Sequence, residues 1–98
     1  MSFSVKITDY QKNPMLNICD PELLDTELVQ DKLRIQITRN YYGQKLVDEG
    51  EAIDLLKSSS IINMVGKETI SLSISLGIGS ESGVRMIDGV PFLIVFKM

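Results

Sequence analysis

Histidine is absent from this chain of 98 residues, and cysteine occurs once. The first absence removes the side chain that most often serves as a general base, completes a hydrolase triad or ligates a metal through imidazole. The second forbids an internal disulfide and a cysteine-rich zinc site, and it leaves Cys19 with no histidine to activate it as a nucleophile. Asp20 beside it would disfavour the thiolate further, so Cys19 is expected to be a small core residue. Long apolar runs are also missing. The longest, Val90 to Phe96, falls far short of the ~20 residues that span a bilayer. The N-terminal Met1-Ser2-Phe3-Ser4-Val5-Lys6-Ile7 has no basic region leading into an apolar stretch, so no secretory signal is expected. Basic charge is not in excess either: 10 Lys+Arg against 13 Asp+Glu give a net charge of −3. That balance argues against a protein that binds nucleic acid over its whole surface. The expectation is a soluble, cytoplasmic protein with no membrane partner.

What is present is a globular composition, 44% hydrophobic and 23% charged. The length allows one domain over residues 1–98, large enough to bury roughly 60–70% of the unfolded surface without disulfides. Phe3, Val5 and Ile7 alternate with Ser4, Lys6 and Thr8, the period of a half-buried strand. A loop of turn residues from Asp9 to Pro14 leads into a second short strand, Met15 to Cys19, which closes a hairpin. Asp20-Pro21-Glu22 reads as a helix start, with Asp20 capping and Pro21 at the first position, and Leu23, Leu24 and Leu28 anchoring one or two turns. Leu33, Ile35 and Ile37 alternate with Arg34, Gln36 and Thr38 as a strand, and Gln44 to Val47 is expected to return as its hairpin partner. Asp48 and Glu51 have the spacing of a capping box, followed by an amphipathic helix of Ala52, Ile53, Leu55 and Leu56 that ends near Lys57. Ile61 to Val65 is expected to form another short helical turn closed by Gly66. Residues 67–78 support two readings: Ile70, Leu72, Ile74, Leu76 and Ile78 alternate as in a strand, yet Ile70 and Ile74 also lie one helical turn apart. Val84–Ile87 and Pro91–Phe96 form a closing hairpin across Asp88-Gly89, a strong turn signal.

Charge is segregated along the chain. Asp20, Glu22, Asp25, Glu27 and Asp31 form one acidic stretch, and Asp48, Glu49, Glu51 and Asp54 another. Between them Lys32, Arg34, Arg39 and Lys45 occur without an acid, together with Tyr41 and Tyr42. A basic hairpin bearing tyrosines is a surface that RNA could use, cations on phosphates and rings on bases. The plainer reading is a solvated face whose charges pair with the flanking acids. The acidic stretches lack the Asp-x-Asp-x-Asp-Gly loop of a calcium site, and helix capping accounts for Asp20 and Asp48. Gly66-Lys67 is followed by Glu68 rather than Ser or Thr, and Ile61 stands where a phosphate loop needs Gly. Gly77 to Gly83 has the wrong spacing for a dinucleotide fingerprint. No catalytic residue, cofactor or metal ligand is therefore expected, and the residues point away from an enzyme.

The succession Cys19-Asp20-Pro21-Glu22-Leu23-Leu24, Tyr42-Gly43, Val47-Asp48-Glu49, Asn63-Met64-Val65-Gly66 and Gly89-Val90-Pro91 resembles, in order and spacing, the archaeal domain-of-unknown-function 424 family. The resemblance covers nearly the whole chain. It implies an archaeal, intracellular protein and a helix after the Asn-x-Val-Gly motif, which favours the helical reading of Lys67 to Leu76, closed by Gly77. It carries a loose association with translation. The family often places a polar residue, commonly histidine, after the final proline; Phe92 stands there in this chain, which argues against catalysis at that position. Asn63, Gly66 and Pro91 are the positions the motifs mark. Asn63 would satisfy backbone groups at a helix end, and Gly66 would take a positive φ.

The chain is thus expected to be a small single α+β domain: antiparallel hairpins at the N-terminus, short helices in the centre and a β-hairpin at the C-terminus. The function expected first is a non-catalytic accessory module for RNA or a ribonucleoprotein, working through Arg34, Arg39, Tyr41, Tyr42 and Lys45. The alternative is a protein-interaction module, or a homodimer formed through a strand edge or the Pro91–Phe96 strand.

Overall fold

The structure, a computed structural model, describes residues 1–97. Strands β1 (Ser2–Tyr10) and β2 (Asn13–Cys19) form the first hairpin. The connection is tighter than the expected loop: Gln11 and Lys12 alone turn the chain, both at positive φ, as the right-handed twist of a two-residue hairpin requires. A single 3₁₀ turn, Pro21–Leu23, follows. The chain then departs from expectation, because Thr26–Gln30 is not helical but strand β3, paired with β4 (Leu33–Ile37). Leu28 faces Ile35 across this hairpin and Thr26 faces Ile37, so the leucine that suggested a helical anchor is one member of an alternating face. Arg39–Tyr42 is the short helix α1, begun by Thr38, whose Oγ1 accepts from the Tyr41 N–H at 3.2 Å. β5 (Lys45–Asp48) pairs with β1 and not with β4, so the expected basic hairpin does not exist.

Helix α2 (Glu49–Ser58) starts as its capping residues require, with Asp48 Oδ1 accepting from the Glu51 N–H at 2.8 Å. At its other end the Lys97 ammonium reaches the carbonyls of Leu56 and Lys57, a cation on orphan acceptors at the negative end of the helix dipole. Ile61–Val65, expected as a helical turn, is strand β6. It runs parallel to β2 and antiparallel to β8. A strand flanked on both edges and carrying apolar residues on both faces reads as a continuous apolar run with no period of two, which is why Ile-Ile-x-Met-Val passed for helix. Helix α3 (Lys67–Ser75) confirms the reading that the family resemblance favoured, and Gly77 beyond it takes φ +77°. β7 (Arg85–Ile87) and β8 (Val90–Phe96) close the chain through Asp88 and Gly89, both at positive φ.

These elements build an α+β fold around a six-stranded mixed sheet of order β5-β1-β2-β6-β8-β7, with β3–β4 as a separate two-stranded ribbon. One face of the large sheet carries Phe3, Val5, Leu16, Ile18, Ile62, Met64 and Leu93 beneath α2 and α3, packed with Ala52, Leu56 and Ile70. Each of the larger side chains is worth roughly 1.5–3 kcal/mol of transfer free energy when fully buried. The opposite face holds a smaller cluster, in which Cys19 and Val65 from the sheet meet Leu28 and Ile37 from the ribbon and Tyr42 from α1.

Asp20 connects the two ends of this plan. Its own N–H continues the β2–β6 ladder by donating to the Val65 carbonyl, 3.1 Å. Its carboxylate does not cap the 3₁₀ turn that follows it, as expected, but the N-terminus of α3: Oδ2 accepts from the Glu68 N–H at 3.1 Å, and Oδ1 from the Thr69 N–H and hydroxyl, each at 2.8 Å. Gly66 takes the positive φ foreseen for it, +112°. The structure adds a second reason for glycine there, since a Cβ at Gly66 would lie 2.5 Å and 2.7 Å from the two Asp20 oxygens.

Candidate nucleic-acid interface

The pairing registers align three rows of side chains across the second face of the sheet. The first row, Ser4, Cys19, Val65 and Phe92, lies under α1 and the ribbon. The second is Lys6, Asn17, Asn63 and Ile94, and the third Thr8, Met15, Ile61 and Phe96. Cover thins from the first row to the third and from β2 towards β8. Asn17 is 1% exposed, but Ile94 and Phe96 are 59% and 67% exposed. The result is an open apolar corner on β6 and β8, bordered by α1.

Hydrogen bonds tie α1 to this face. Ser4 Oγ donates to the Tyr42 carbonyl at 2.8 Å, Lys6 Nζ to the Asn40 carbonyl at 2.7 Å, and Asn17 Nδ2 to the Tyr41 carbonyl at 3.1 Å. Asn63, directly across the parallel pair from Asn17, donates from Nδ2 to Asn17 Oδ1 at 2.7 Å. Asn63 therefore serves no helix end. It extends a line of amides from α1 across the centre of the sheet. Beyond it lies a cleft of about 210 Å³, lined chiefly by Tyr42, Asn63, Phe92, Ile94 and Arg85. A more open groove of about 500 Å³ runs on the other face between α3 and β7–β8, with aliphatic walls from Ile70, Ile74, Val84 and Met86.

The five residues expected to form one basic surface are dispersed. Arg34 lies on the outward face of the ribbon and bonds Glu27 at 2.9 Å; Arg39 opens α1 and bonds Asp25 at 2.6 Å; Lys45 starts β5 and reaches Glu51 on α2 at 2.8 Å. Each cation thus has an acid from one of the flanking stretches. The tyrosines do stay together, edge to face with ring centroids 5.2 Å apart, but only Tyr41 is exposed. Tyr42 is buried, and burial pushes its phenol above the ordinary tyrosine range, with Tyr41 and Cys19 adding to the shift. Cys19 is buried as expected, and burial, reinforced by the Asp20 and Glu22 carboxylates, pushes its thiol up to about 12. Pro91 is a buried residue of β8 whose carbonyl accepts from the Gly66 N–H at 3.0 Å, one step past the end of the β6–β8 ladder.

Asn17, Arg85, Ile94 and Phe96 were not singled out by sequence reasoning. A signal for the first existed: Met15-Leu16-Asn17-Ile18-Cys19 and Ile61-Ile62-Asn63-Met64-Val65 each place one asparagine at the centre of an apolar pentapeptide. Among the described residues there is no group of three or more His, Cys, Asp or Glu that could hold a metal, and no helix long and apolar enough to cross a membrane.

A family model described as a protein of unknown function (DUF424) matches residues 8–98. The chain belongs to this family. No curated protein matches it. The crystal structure of an uncharacterized conserved protein from Methanopyrus kandleri is similar to it, with a TM-score of 0.82 over 100% of this chain and 95% of that one at 19% identity. The sheet and helices of this chain are thus shared with a chain of very different sequence, and that likeness concerns the fold alone.

Proposed function

We propose that this protein is a non-catalytic accessory module for RNA or a ribonucleoprotein, and that RNA lies across the open corner of the second sheet face. The observation that supports this reading is the set of side chains left uncovered there: Phe96 as a stacking ring, Ile94 as apolar surface, Asn63 as a polar edge, Arg85 as a cation and Tyr41 on the bordering helix. Unstacked bases bind exposed aromatic and planar groups on sheets in a sequence-tolerant way, while cations hold the backbone. Arg39 belongs to this surface through α1. Its ion pair with Asp25 is exposed and worth little, so a phosphate can replace the carboxylate. Lys45 points to the α2 side and lies outside the path. The same reading makes the protein archaeal, cytoplasmic and associated with translation components, as the family resemblance implies.

Fluorescence anisotropy with a single-stranded RNA tests the proposal. Affinity is expected to fall with salt along a slope of about −0.7 per phosphate contact. Arg39→Glu should weaken binding and reduce that slope by about 0.7, one contact's share, whereas Lys45→Glu should leave both unchanged. Absence of binding at low salt, or equal effects of the two variants, would refute it. The alternative, a protein partner or second copy on this face, draws on its apolar character and on the open edges of β5 and β7. A strict monomer by light scattering, with no protein captured after nuclease treatment, would remove it.

A further inference from the structure

We propose that the cleft between Tyr42 and Arg85 is a pocket for a single unstacked nucleobase, with Asn63 reading the base edge and Arg85 holding the phosphate of the same nucleotide. The inference rests on the RNA-binding reading and specifies where and how one nucleotide is held.

The orientation of the Asn63 amide is set by the protein. Asn17 Nδ2 is spent on the Tyr41 carbonyl, so Asn17 presents Oδ1 to β6, and Asn63 must turn Nδ2 towards it. This leaves the Asn63 carbonyl oxygen and one Nδ2 hydrogen without a protein partner among the described hydrogen bonds. An amide whose acceptor and remaining donor are both available is the group that reads base edges, which present donors and acceptors side by side. Asn17 is buried, so the amide is fixed before a ligand arrives and little ordering is left to binding.

The rest of the lining suits a flat ring with a charged tail. Phe92, Ile94 and Tyr42 supply apolar and aromatic surface, and about 210 Å³ accommodates one ring system rather than a stack of them. Arg34, Arg39 and Lys45 each have a carboxylate partner, but Arg85 makes no ion pair among the described residues. It sits on the edge strand opposite Phe92. Asn63 on β6 and Arg85 on β7 are two strand spacings apart, ~9.6 Å, and two residues out of register, ~6.7 Å, so about 12 Å separates their backbones, a span that a nucleotide can bridge once both side chains reach into the cleft between them. Guanidinium is the cation best suited to such an anion.

An NMR titration with 5′-mononucleotides, and with ribose 5-phosphate as the reference, tests the pocket. The mononucleotides are expected to shift the Asn63 side-chain amide and the Phe92 ring, and ribose 5-phosphate only the Arg85 guanidinium. Arg85→Ala, a change at an exposed edge residue, should weaken mononucleotide binding about tenfold, the loss of one charge-assisted contact. Asn63→Leu should abolish the difference between nucleotide and ribose 5-phosphate. Because that variant also strands Asn17, Ile94→Glu on the cleft wall serves as a second probe and should lower nucleotide affinity alike. Mononucleotides that act no differently from ribose 5-phosphate overturn the inference, even if single-stranded RNA binds elsewhere on the surface. Mononucleotide binding in the cleft without any binding of single-stranded RNA would uphold the pocket and sink the RNA reading.

Discussion

Replacing Asp20 by Ala removes the acceptor of three hydrogen bonds at the start of α3, and the cost can be worked from their surroundings. The Glu68 N–H is only partly buried and recruits water when its partner is lost. The Thr69 N–H and hydroxyl are fully buried and are left without a partner. Hydrogen bonds to a charged group are worth about 1.5–3 kcal/mol each, and two donors sharing one oxygen do not add fully, so Asp20→Ala should cost roughly 3–4 kcal/mol. Asp48→Ala removes a single exposed capping bond at α2 and should cost about 1 kcal/mol. In a domain of this size 1 kcal/mol lowers Tm by roughly 4–8 °C, so thermal melts and urea midpoints resolve the difference readily. Gly66→Ala provides an internal check. It combines the strain of an L-residue at φ +112° with a Cβ driven onto the Asp20 carboxylate. In the Asp20→Ala background the collision disappears and the backbone strain persists, so the double-mutant cycle should show a coupling of about 1 kcal/mol or more. If Asp20→Ala proves no more costly than Asp48→Ala, Asp20 is not the cap of α3 and this reasoning fails.

The buried Cys19 thiol makes stability fall in alkali. The unfolded chain releases this proton near the ordinary value of 9.0 while the native state keeps it to about 12, so the native state binds more protons over that window and stability declines by up to about 1.4 kcal/mol per pH unit. Tyr42, also raised, adds to the loss at the upper end. Urea midpoints measured upwards from about pH 8 should therefore drop, and Cys19→Ala should flatten the onset of the decline; equal slopes in the two proteins would contradict this assignment. The exposed ion pairs should contribute little to folding: Arg34→Ala and Arg39→Ala should each change stability by less than about 1 kcal/mol in thermal melts, and a larger loss would show that they hold the ribbon in place.

Elements whose signals are local could be read from the chain directly. β1 and β4 alternate residue by residue, Asp48 and Glu51 sit three apart at the start of α2, and Asp88-Gly89 supplies the two positive φ values of a tight hairpin. Residues 67–78 show where local pattern fails. Their alternation is as good as that of β1, yet Lys67–Ser75 is a helix, packed on the sheet through Ile70 and capped by Asp20 from far away in sequence. β6 errs in the opposite direction, its strand identity fixed by the β2 and β8 edges on either side.

For the candidate site, the family motifs marked Asn63, but a helix end is not where it acts, and the basic stretch from Lys32 to Val47 turned out to span a ribbon, a helix and an edge strand. Sequence by itself determined composition and class: no imidazole chemistry, a buried thiol, acids enough to pair every cation in that stretch, and an α+β arrangement with hairpins at both ends. Only the tertiary structure decided which residues meet. The Asn17–Asn63 pair, the Asp20 cap and the cleft beneath Arg85 each join segments that are distant along the chain, and such joins depend on sheet order and register. Those are set by the summed burial of two faces and by no pattern local to either segment.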